Sequence, residues 1–538
     1  MTGNNLTTSR LWNWSSRTTY WVLFAAIVLL ATSLRLWGMA DQPMFFDEGM
    51  EYWVATAPLP QLMATVSEGI QDPPFYSFLL HAWMKVSNSL VALRLPSMVF
   101  SVLSVVGAIV LGQRLAGPWA GLISGLLMAL LPPEIRYAQD ISQYALMECL
   151  VIWSLVALQR SRESRRWRWN ILWLLLALAA TYTYYGAVLP IFVPFGVSFL
   201  VDLRRRAWQD GVRNGITLAL FLAAVAPLVV FFLPDQLFRG PTRGALQLSM
   251  GSPVAEIRLL VGETQRLLAF LLAGWPWSRF PAWLPVILLM APLTGFLWAA
   301  RTMERPRQWL WWLLAVWGVY LLVGWIGLYP YRFRYAMILV PLLIPATGAG
   351  FVFLLQQRRL RWISAGALAA LLLLLVVSLP NRPIRERFPV PAVNGWTWPE
   401  TEDLPQLLAD WQARNIPGQP TYVYYGALPA LGYYLQRDQL QAPVPPLWYT
   451  QCWDGERRSV PGHDSLICGA WLRGLTPDEQ IDAILSAIPA GAPEFWLLFS
   501  HIYEDENAQL LAGLAAQYDI VDQITASGAE AYLMRVKE

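Results

Sequence analysis

The chain reads as an α-helical polytopic membrane protein with a small C-terminal α/β domain, and three observations predict it. Of its 538 residues, 56% are hydrophobic and only 14% charged, whereas soluble globular domains carry roughly 25% charged residues. Mean hydropathy is +0.40. Apolar runs of membrane-spanning length recur through the first 380 residues, with arginines gathered in alternate loops between them. This composition excludes a disordered chain, a nucleic-acid binder and an ordinary cytosolic enzyme. The net charge of +3 is too small to call for a polyanionic partner.

A helix needs roughly 20 apolar residues to cross the hydrocarbon core. Such runs fall near 19–38, 91–113, 118–133, 141–159, 168–184, 186–202, 214–233, 282–300, 309–328, 335–356 and 362–380. That gives about eleven transmembrane helices. The first run is long, follows a polar tail and has no small-x-small cleavage site after it, so it reads as a span rather than a signal peptide. Tyr184-Tyr185-Gly186 and Pro190 break 168–202 into two short helices.

Arginine placement orients the bundle. Clusters occur at Arg10 and Arg17, at Arg114, from Arg160 to Arg168, and at Arg204–Arg206; two more are Arg301–Arg307 and Arg358–Arg361. They fall on alternate loops, which the positive-inside rule reads as a cytoplasmic N-terminus and, with eleven spans, an outside C-terminus. Counting 262–277 as a further span would break the alternation, so it reads as an interfacial helix lying flat. The domains are then a membrane module over 1–380, with outer loops at 39–90 and 234–281, and an extracytoplasmic α/β domain over 381–538. In the latter, Thr421–Tyr425 and Glu494–Ser500 look like buried strands followed by helices at 427–436 and 505–517, with further strands at 518–525 and 530–536. Cys452 and Cys468 could pair if that domain lies outside the cytoplasm. Cys149, in an apolar run, reads as a packed side chain.

Charges near the membrane but outside the arginine clusters are few, which makes them informative. The first outer loop carries Asp47-Glu48, Glu51, Glu68 and Asp72-Pro73-Pro74. An adjacent acidic pair can supply a general base and a second carboxylate that orients a hydroxyl or holds a divalent cation. Solvated loop acids are the bland alternative. Arg136, Tyr137, Gln139, Asp140 and Tyr144 form a second set, in which Asp140 also suits a helix cap. Tyr329-Pro330-Tyr331-Arg332-Phe333-Arg334-Tyr335 puts two arginines on the side where positive charge is not expected. Their planar forks suit phosphate oxygens, and lipid headgroups are the competing ligand. His81, His463 and His501 stand apart from one another. Acids on an early outer loop and arginines on a late one suggest chemistry on an anionic lipid at the outer membrane surface.

These stretches together resemble the GT-C superfamily of membrane glycosyltransferases, in the branch of protein O-mannosyltransferases and lipid A aminoarabinose transferases. Phe45-Phe46-Asp47-Glu48-Gly49 resembles the family's Asp-Glu after the first span. Asp72-Pro73-Pro74-Phe75-Tyr76 resembles its (His/Lys)-Pro-Pro-Leu-Tyr, and Arg94-Leu95-Pro96-Ser97 its Arg-Leu-Pro-Ser. Arg136-Tyr137-Ala138-Gln139-Asp140, ending in Tyr144, resembles its Tyr-(Ser/Ala)-Gln-(Glu/Asp)-Ala-Arg-x-Tyr. Arg332-Phe333-Arg334-Tyr335, followed by Val340-Pro341-Leu342, resembles its Arg-Tyr-x-x-x-x-x-Pro element. The likeness covers about residues 20–350. It departs at Asp72, an acid where a base is usual, and at Ser142, where an arginine is common.

The resemblance implies an inverting glycosyltransferase of a plasma or inner membrane, moving a sugar from a polyprenyl-phosphate donor to an acceptor hydroxyl on the outer face. Asp47 would be the general base, and Glu48 would orient acceptor or sugar. Arg332 and Arg334 would bind the donor phosphate, with Arg136 as a substitute for the missing charge. Asp72, Gln139, Asp140 and Tyr144 would contact sugar or acceptor. The acceptor class is open among lipid, protein and polysaccharide. A divalent metal is compatible with the paired acids but not implied, and the remaining partners are membrane lipids, with no nucleic acid. A transporter and a catalytically silent interaction protein are the alternatives.

Overall fold

The structure is a computed structural model. It describes residues 14–67, 72–234, 253–274, 281–331, 333–379, 402–439, 445–502 and 506–537. The first helices are α1 (Trp14–Leu36), α2 (Phe46–Thr56), α3 (Leu59–Ser67), α4 (Phe75–Met84), α5 (Leu90–Ala116), α6 (Pro118–Leu130) and α7 (Pro132–Ala138). Next come α8 (Tyr144–Ser164), α9 (Trp167–Thr181), α10 (Val188–Arg204), α11 (Trp208–Pro227), α12 (Pro253–Ala273), α13 (Trp283–Thr302), α14 (Glu304–Trp325), α15 (Val340–Gln356) and α16 (Arg361–Val377).

A helix stands at each of the eleven expected spans. Among the described residues, seven helices are long and apolar enough to cross a membrane, or eight if α6 and α7, bent by 61°, form one broken span. Of the other three, α9 and α16 have only 15 and 17 residues, and α8 is long enough but more polar. Leu29, Leu175, Phe231, Ile287, Leu314 and Leu373 are each more than half exposed. In water so much apolar surface would be costly, and against lipid tails it is at home. The chain is a multi-pass membrane protein.

Contacts divide the chain into two units that do not follow chain order. One comprises Met1–Met39, Val66–Tyr76 and Arg94–Trp396, the other Ala40–Thr65, Ser77–Leu93 and Thr397–Glu538. In the first unit the bend between α6 and α7 has a local cause. Pro132 and Pro133 carry no N–H, so the carbonyls four residues earlier, on Met128 and Ala129, lose their helical donors. Buried Arg35 replaces them, donating from Nη2 to Met128 O at 3.2 Å and from Nη1 to Ala129 O at 3.1 Å. Helix α12 answers the expectation of a helix at 262–277, but with a difference. Leu267–Ala273 are all buried, so this half packs on its neighbours. Short connections separate α9 from α10, where a 3₁₀ turn at Tyr185–Ala187 marks the break expected at Tyr184-Tyr185-Gly186.

The second unit holds α17 (Leu404–Arg414), β1 (Thr421–Val423), α18 (Leu428–Gln439), α19 (Trp448–Trp453), β2 (Ser459–Val460), β3 (His463–Cys468), α20 (Pro477–Ala487), β4 (Glu494–Ser500), α21 (Glu506–Leu514), β5 (Tyr518–Ala526) and β6 (Ala529–Val536). Its six strands run in the order β2-β3-β1-β4-β6-β5. Central β1 is parallel to β3 and β4, with Tyr422 opposite Ile467 and Leu497, and the outer pairs are antiparallel. The four expected strands are all present. β3 escaped notice because His463-Asp464-Ser465 opens it with polar residues. Cys452 and Cys468 form a disulfide, and Cys149 is a buried free cysteine.

Helix α2 belongs to this second unit and is seated on α18. Trp53 Nε1 donates to Pro429 O at 2.9 Å, and the Met44 N–H donates to Tyr434 Oη at 2.6 Å. Gly49 makes the approach close: a Cβ there would lie 2.7 Å from the Pro429 carbonyl carbon and 2.8 Å from the Ala430 nitrogen. Backbone cannot move aside as a side chain can. Gly49→Ala should therefore destabilise the protein by about 1–3 kcal/mol, the usual cost of overpacking. A thermal unfolding midpoint unchanged from wild type would contradict this seating.

Candidate functional site

The sequence-predicted residues fall into two clusters, one in each unit. In the first unit, Asp72 sits just before α4, after which the Phe75 N–H donates to Tyr182 O at 2.9 Å. Gln143 Nε2 donates to the Asp72 carboxylate, and Asp72 is within electrostatic reach of Tyr144, Tyr184 and Tyr185. Arg334 lies on the 3₁₀ turn Phe333–Leu339, its guanidinium 5.9 Å from the Tyr144 ring centre and 5.7 Å from that of Tyr335. Aromatic faces attract such a cation. Tyr329 Oη donates to Tyr184 Oη at 2.8 Å, and the Tyr144 and Tyr184 rings are 5.4 Å apart. Gly186 permits this crowding, because a Cβ would lie 2.0 Å from Tyr329 Oη. Phe333, next to Arg334, holds a left-handed φ of +39°, a conformation that marks local strain in a bulky residue.

Asp72, Tyr144 and Arg334 are thus brought together: one cation, one carboxylate and a wall of phenols. Phenols and a carboxylate can hydrogen-bond sugar hydroxyls, and the guanidinium suits a phosphate. The Tyr185 hydroxyl in this neighbourhood is buried without a protein partner. Arg332 and Glu68 lie outside the described residues.

The remaining candidates of the second motif are placed differently. Gln139 Nε2 donates to the carbonyls of Leu34, Arg35 and Trp37, at 3.3, 2.9 and 2.9 Å, and so caps the end of α1. Arg136 is ion-paired with buried Asp140. Three further charges inside this unit, Arg35, Glu134 and Glu148, are fully or almost fully buried, so the interior is less purely apolar than the hydropathy pattern indicates.

In the second unit Asp47 occupies the first turn of α2, where a carboxylate also meets the positive end of the helix dipole. Glu48, fully buried, accepts from the Phe45 N–H at 3.4 Å and helps close that turn. Glu51, 4% exposed, accepts from Ser77 Oγ at 3.4 Å. The residue beside Asp47 is held twice. The Phe46 N–H donates to Glu402 Oε2 at 3.1 Å, and the Phe46 ring stacks on His501 at 4.4 Å. His501 Nδ1–H donates to Glu402 Oε1 at 2.6 Å. His501 follows β4 with a left-handed φ of +52°. Asp47, Glu402 and His501 therefore form one electrostatic group. Sequence reasoning missed the last two, and their separation of 99 positions left no local signal.

Burial disfavours a charged His501, but the Glu402 carboxylate, and after it Asp47, outweigh burial and raise its pKa above the usual histidine value. A raised folded-state pKa means that the stabilisation is complete below the unfolded value of about 6.5 and fades as pH climbs through the folded value. The difference in unfolding midpoint between wild type and His501→Gln should accordingly be largest near pH 6 and shrink on the alkaline side. A difference that grows with pH would contradict the ion pair. Among the described residues, no three His, Cys, Asp or Glu side chains are grouped to hold a metal ion.

Residues 71–231 match the family profile of dolichyl-phosphate-mannose–protein mannosyltransferases. No curated protein matches by sequence. Among solved structures, the crystal structure of ArnT from Cupriavidus metallidurans bound to undecaprenyl phosphate is 13% identical, with a TM-score of 0.50 over 96% of this chain and 98% of that one. Its apo form is 12% identical, with a TM-score of 0.51 over the same shares. The oligosaccharyltransferase AglB from Archaeoglobus fulgidus, in complex with an inhibitory peptide and a dolichol-phosphate, is 11% identical, with a TM-score of 0.48 over 97% of this chain and 74% of that one. At the identity of the ArnT matches, what is shared is the fold.

Proposed function

We propose, for a chain that has the GT-C glycosyltransferase fold, that it moves a sugar from a polyprenyl-phosphate donor to an acceptor hydroxyl on the outer face of the membrane, with inversion. The observation that carries this reading is the cluster of Arg334, Asp72 and the tyrosines, in a fold whose solved relative binds undecaprenyl phosphate. Asp47 removes the proton from the acceptor hydroxyl. The oxygen attacks the anomeric carbon as the bond from that carbon to the phosphate oxygen breaks on the opposite side. The departing polyprenyl phosphate gains negative charge, which Arg332 and Arg334 offset. Asp72 and Tyr144 hold sugar hydroxyls, Glu48 maintains the turn that presents Asp47, and Arg136, Gln139 and Asp140 support the surrounding helices.

The outer-face orientation is supported by the arginine alternation and by the Cys452–Cys468 disulfide, a bond that persists in oxidising compartments. Single reporter cysteines test it in a Cys149→Ala background with the disulfide intact. Ser164→Cys should react with a membrane-impermeant thiol reagent only after lysis, and Glu456→Cys in intact cells stripped of any outer barrier. Labelling of both from one side would contradict the orientation.

One observation favours a transporter, namely the buried charges Arg35, Glu134 and Glu148. Arg35, however, is occupied by the carbonyls that the proline break releases. Mass spectrometry of glycolipids, glycoproteins and polysaccharides from a deletion strain separates the readings. Loss of one glycoform supports transfer, and an unchanged glycan inventory contradicts it.

A further inference from the structure

The first unit has a second polar centre at the end of its helices where the arginines gather. A cavity of about 270 Å³ opens between the ends of α8 and α10 and the starts of α11 and α14. Tyr144 begins α8, and Arg162 on the cavity wall lies 18 residues on, roughly 27 Å away along the helix. It is a different place from the Arg334 cluster.

The charge balance of the cavity is uneven. Six arginines and four carboxylates line it, leaving a surplus of two positive charges. Two of the carboxylates are shared, Glu163 by Arg114 at 2.5 Å and Arg305 at 3.3 Å, and Asp210 by Arg165 at 3.2 Å and Arg213 at 3.0 Å, while Asp202 pairs with Arg162 at 3.1 Å and Glu304 with Arg205 at 3.2 Å. The donor balance is uneven in the same sense. Arg213 Nε, Gln308 Nε2 and Trp312 Nε1 are buried donors without a protein acceptor, on a wall where Arg213 is 7% and Trp312 1% exposed. Buried donors are rarely left unmatched. A cavity short of acceptors and long in positive charge fits an oxyanion of charge near −2.

We propose that this cavity binds a phosphate monoester dianion. Its charge of about −1.5 to −2 near neutral pH matches the surplus, and its three terminal oxygens supply acceptors for the unmatched donors. The dianion can come from a soluble phosphate or from the headgroup of a phosphomonoester lipid.

The test uses the full chain in phosphatidylcholine nanodiscs at constant ionic strength. One arm titrates inorganic phosphate and glycerol phosphate, and the other replaces part of the lipid with phosphatidic acid. Each arm follows the thermal unfolding midpoint. A rise with the soluble probes identifies a soluble ligand, and a rise with phosphatidic acid alone a lipid headgroup. Gln308→Leu with Trp312→Phe removes two unmatched donors and leaves every ion pair in place, and Arg305→Gln lowers the surplus charge by one. Each should weaken the apparent affinity at least about tenfold. If neither probe raises the midpoint, or the rise is equal in wild type and both variants, the site is an internal ion-pair lock and the proposal is overturned.

Discussion

Asp47→Asn is expected to lower the rate of sugar transfer by about 10²–10⁴, the usual contribution of a general base, while the unfolding midpoint stays near wild type. Asparagine keeps the size and polarity of the side chain in the first turn of α2 but cannot accept a proton. Other contacts also hold the turn: the Phe46 N–H on Glu402, the Phe45 N–H on Glu48, and Gly49 against Pro429. The substitution therefore separates chemistry from folding. Donor affinity should change little, because the phosphate-binding residues proposed here are arginines. A purified Asp47→Asn protein with near-normal transfer would remove Asp47 from the mechanism, and Glu51 would be the next acid of α2 to test.

Arg334 carries the second large effect. If its guanidinium meets the donor phosphate, Arg334→Gln loses a hydrogen bond to a charged group, worth about 1.5–3 kcal/mol. The donor kcat/KM then falls roughly ten- to a hundredfold, with little change in acceptor KM. Arg334→Lys should recover only part of this, because it keeps the charge and loses both the bidentate fork and the flat face that lies over Tyr144 and Tyr335. An arginine that only anchors the loop among lipid headgroups gives another pattern, in which lysine equals arginine and the loss appears in stability. The same pair of substitutions at Arg332 tests the second proposed phosphate ligand.

Periodicity and composition made the helices legible. All eleven apolar runs are helical, in helices of 13 to 27 residues, because an apolar segment has few other ways to satisfy its backbone in lipid. The pattern said less about which helices pack inside. Leu267–Ala273 of α12 carries no sign of its burial, since lipid-facing and core-facing apolar residues look alike in sequence. In the α/β unit, the buried strands showed as apolar runs. Helix α20 could have been read from Thr476-Pro477-Asp478-Glu479, a capping box in which Glu479 Oε2 accepts from the Thr476 N–H at 2.7 Å. The candidate sites were half legible. Asp47, Asp72, Tyr144 and Arg334 stood out because charge and polarity are scarce near a membrane. Glu402 and His501 did not, because what joins them to Asp47 is tertiary packing around Phe46.

Transfer from a lipid-linked sugar can be measured on the purified protein in nanodiscs with a panel of radiolabelled polyprenyl-phosphate monosaccharides and membrane-derived acceptors. One donor should be consumed, with polyprenyl phosphate released in step with sugar appearing on acceptor. The product linkage should have the anomeric configuration opposite to the donor's, and Asp47→Asn should stop both signals. Retention of the donor's configuration, or release of polyprenyl phosphate that persists undiminished in Asp47→Asn, would contradict it.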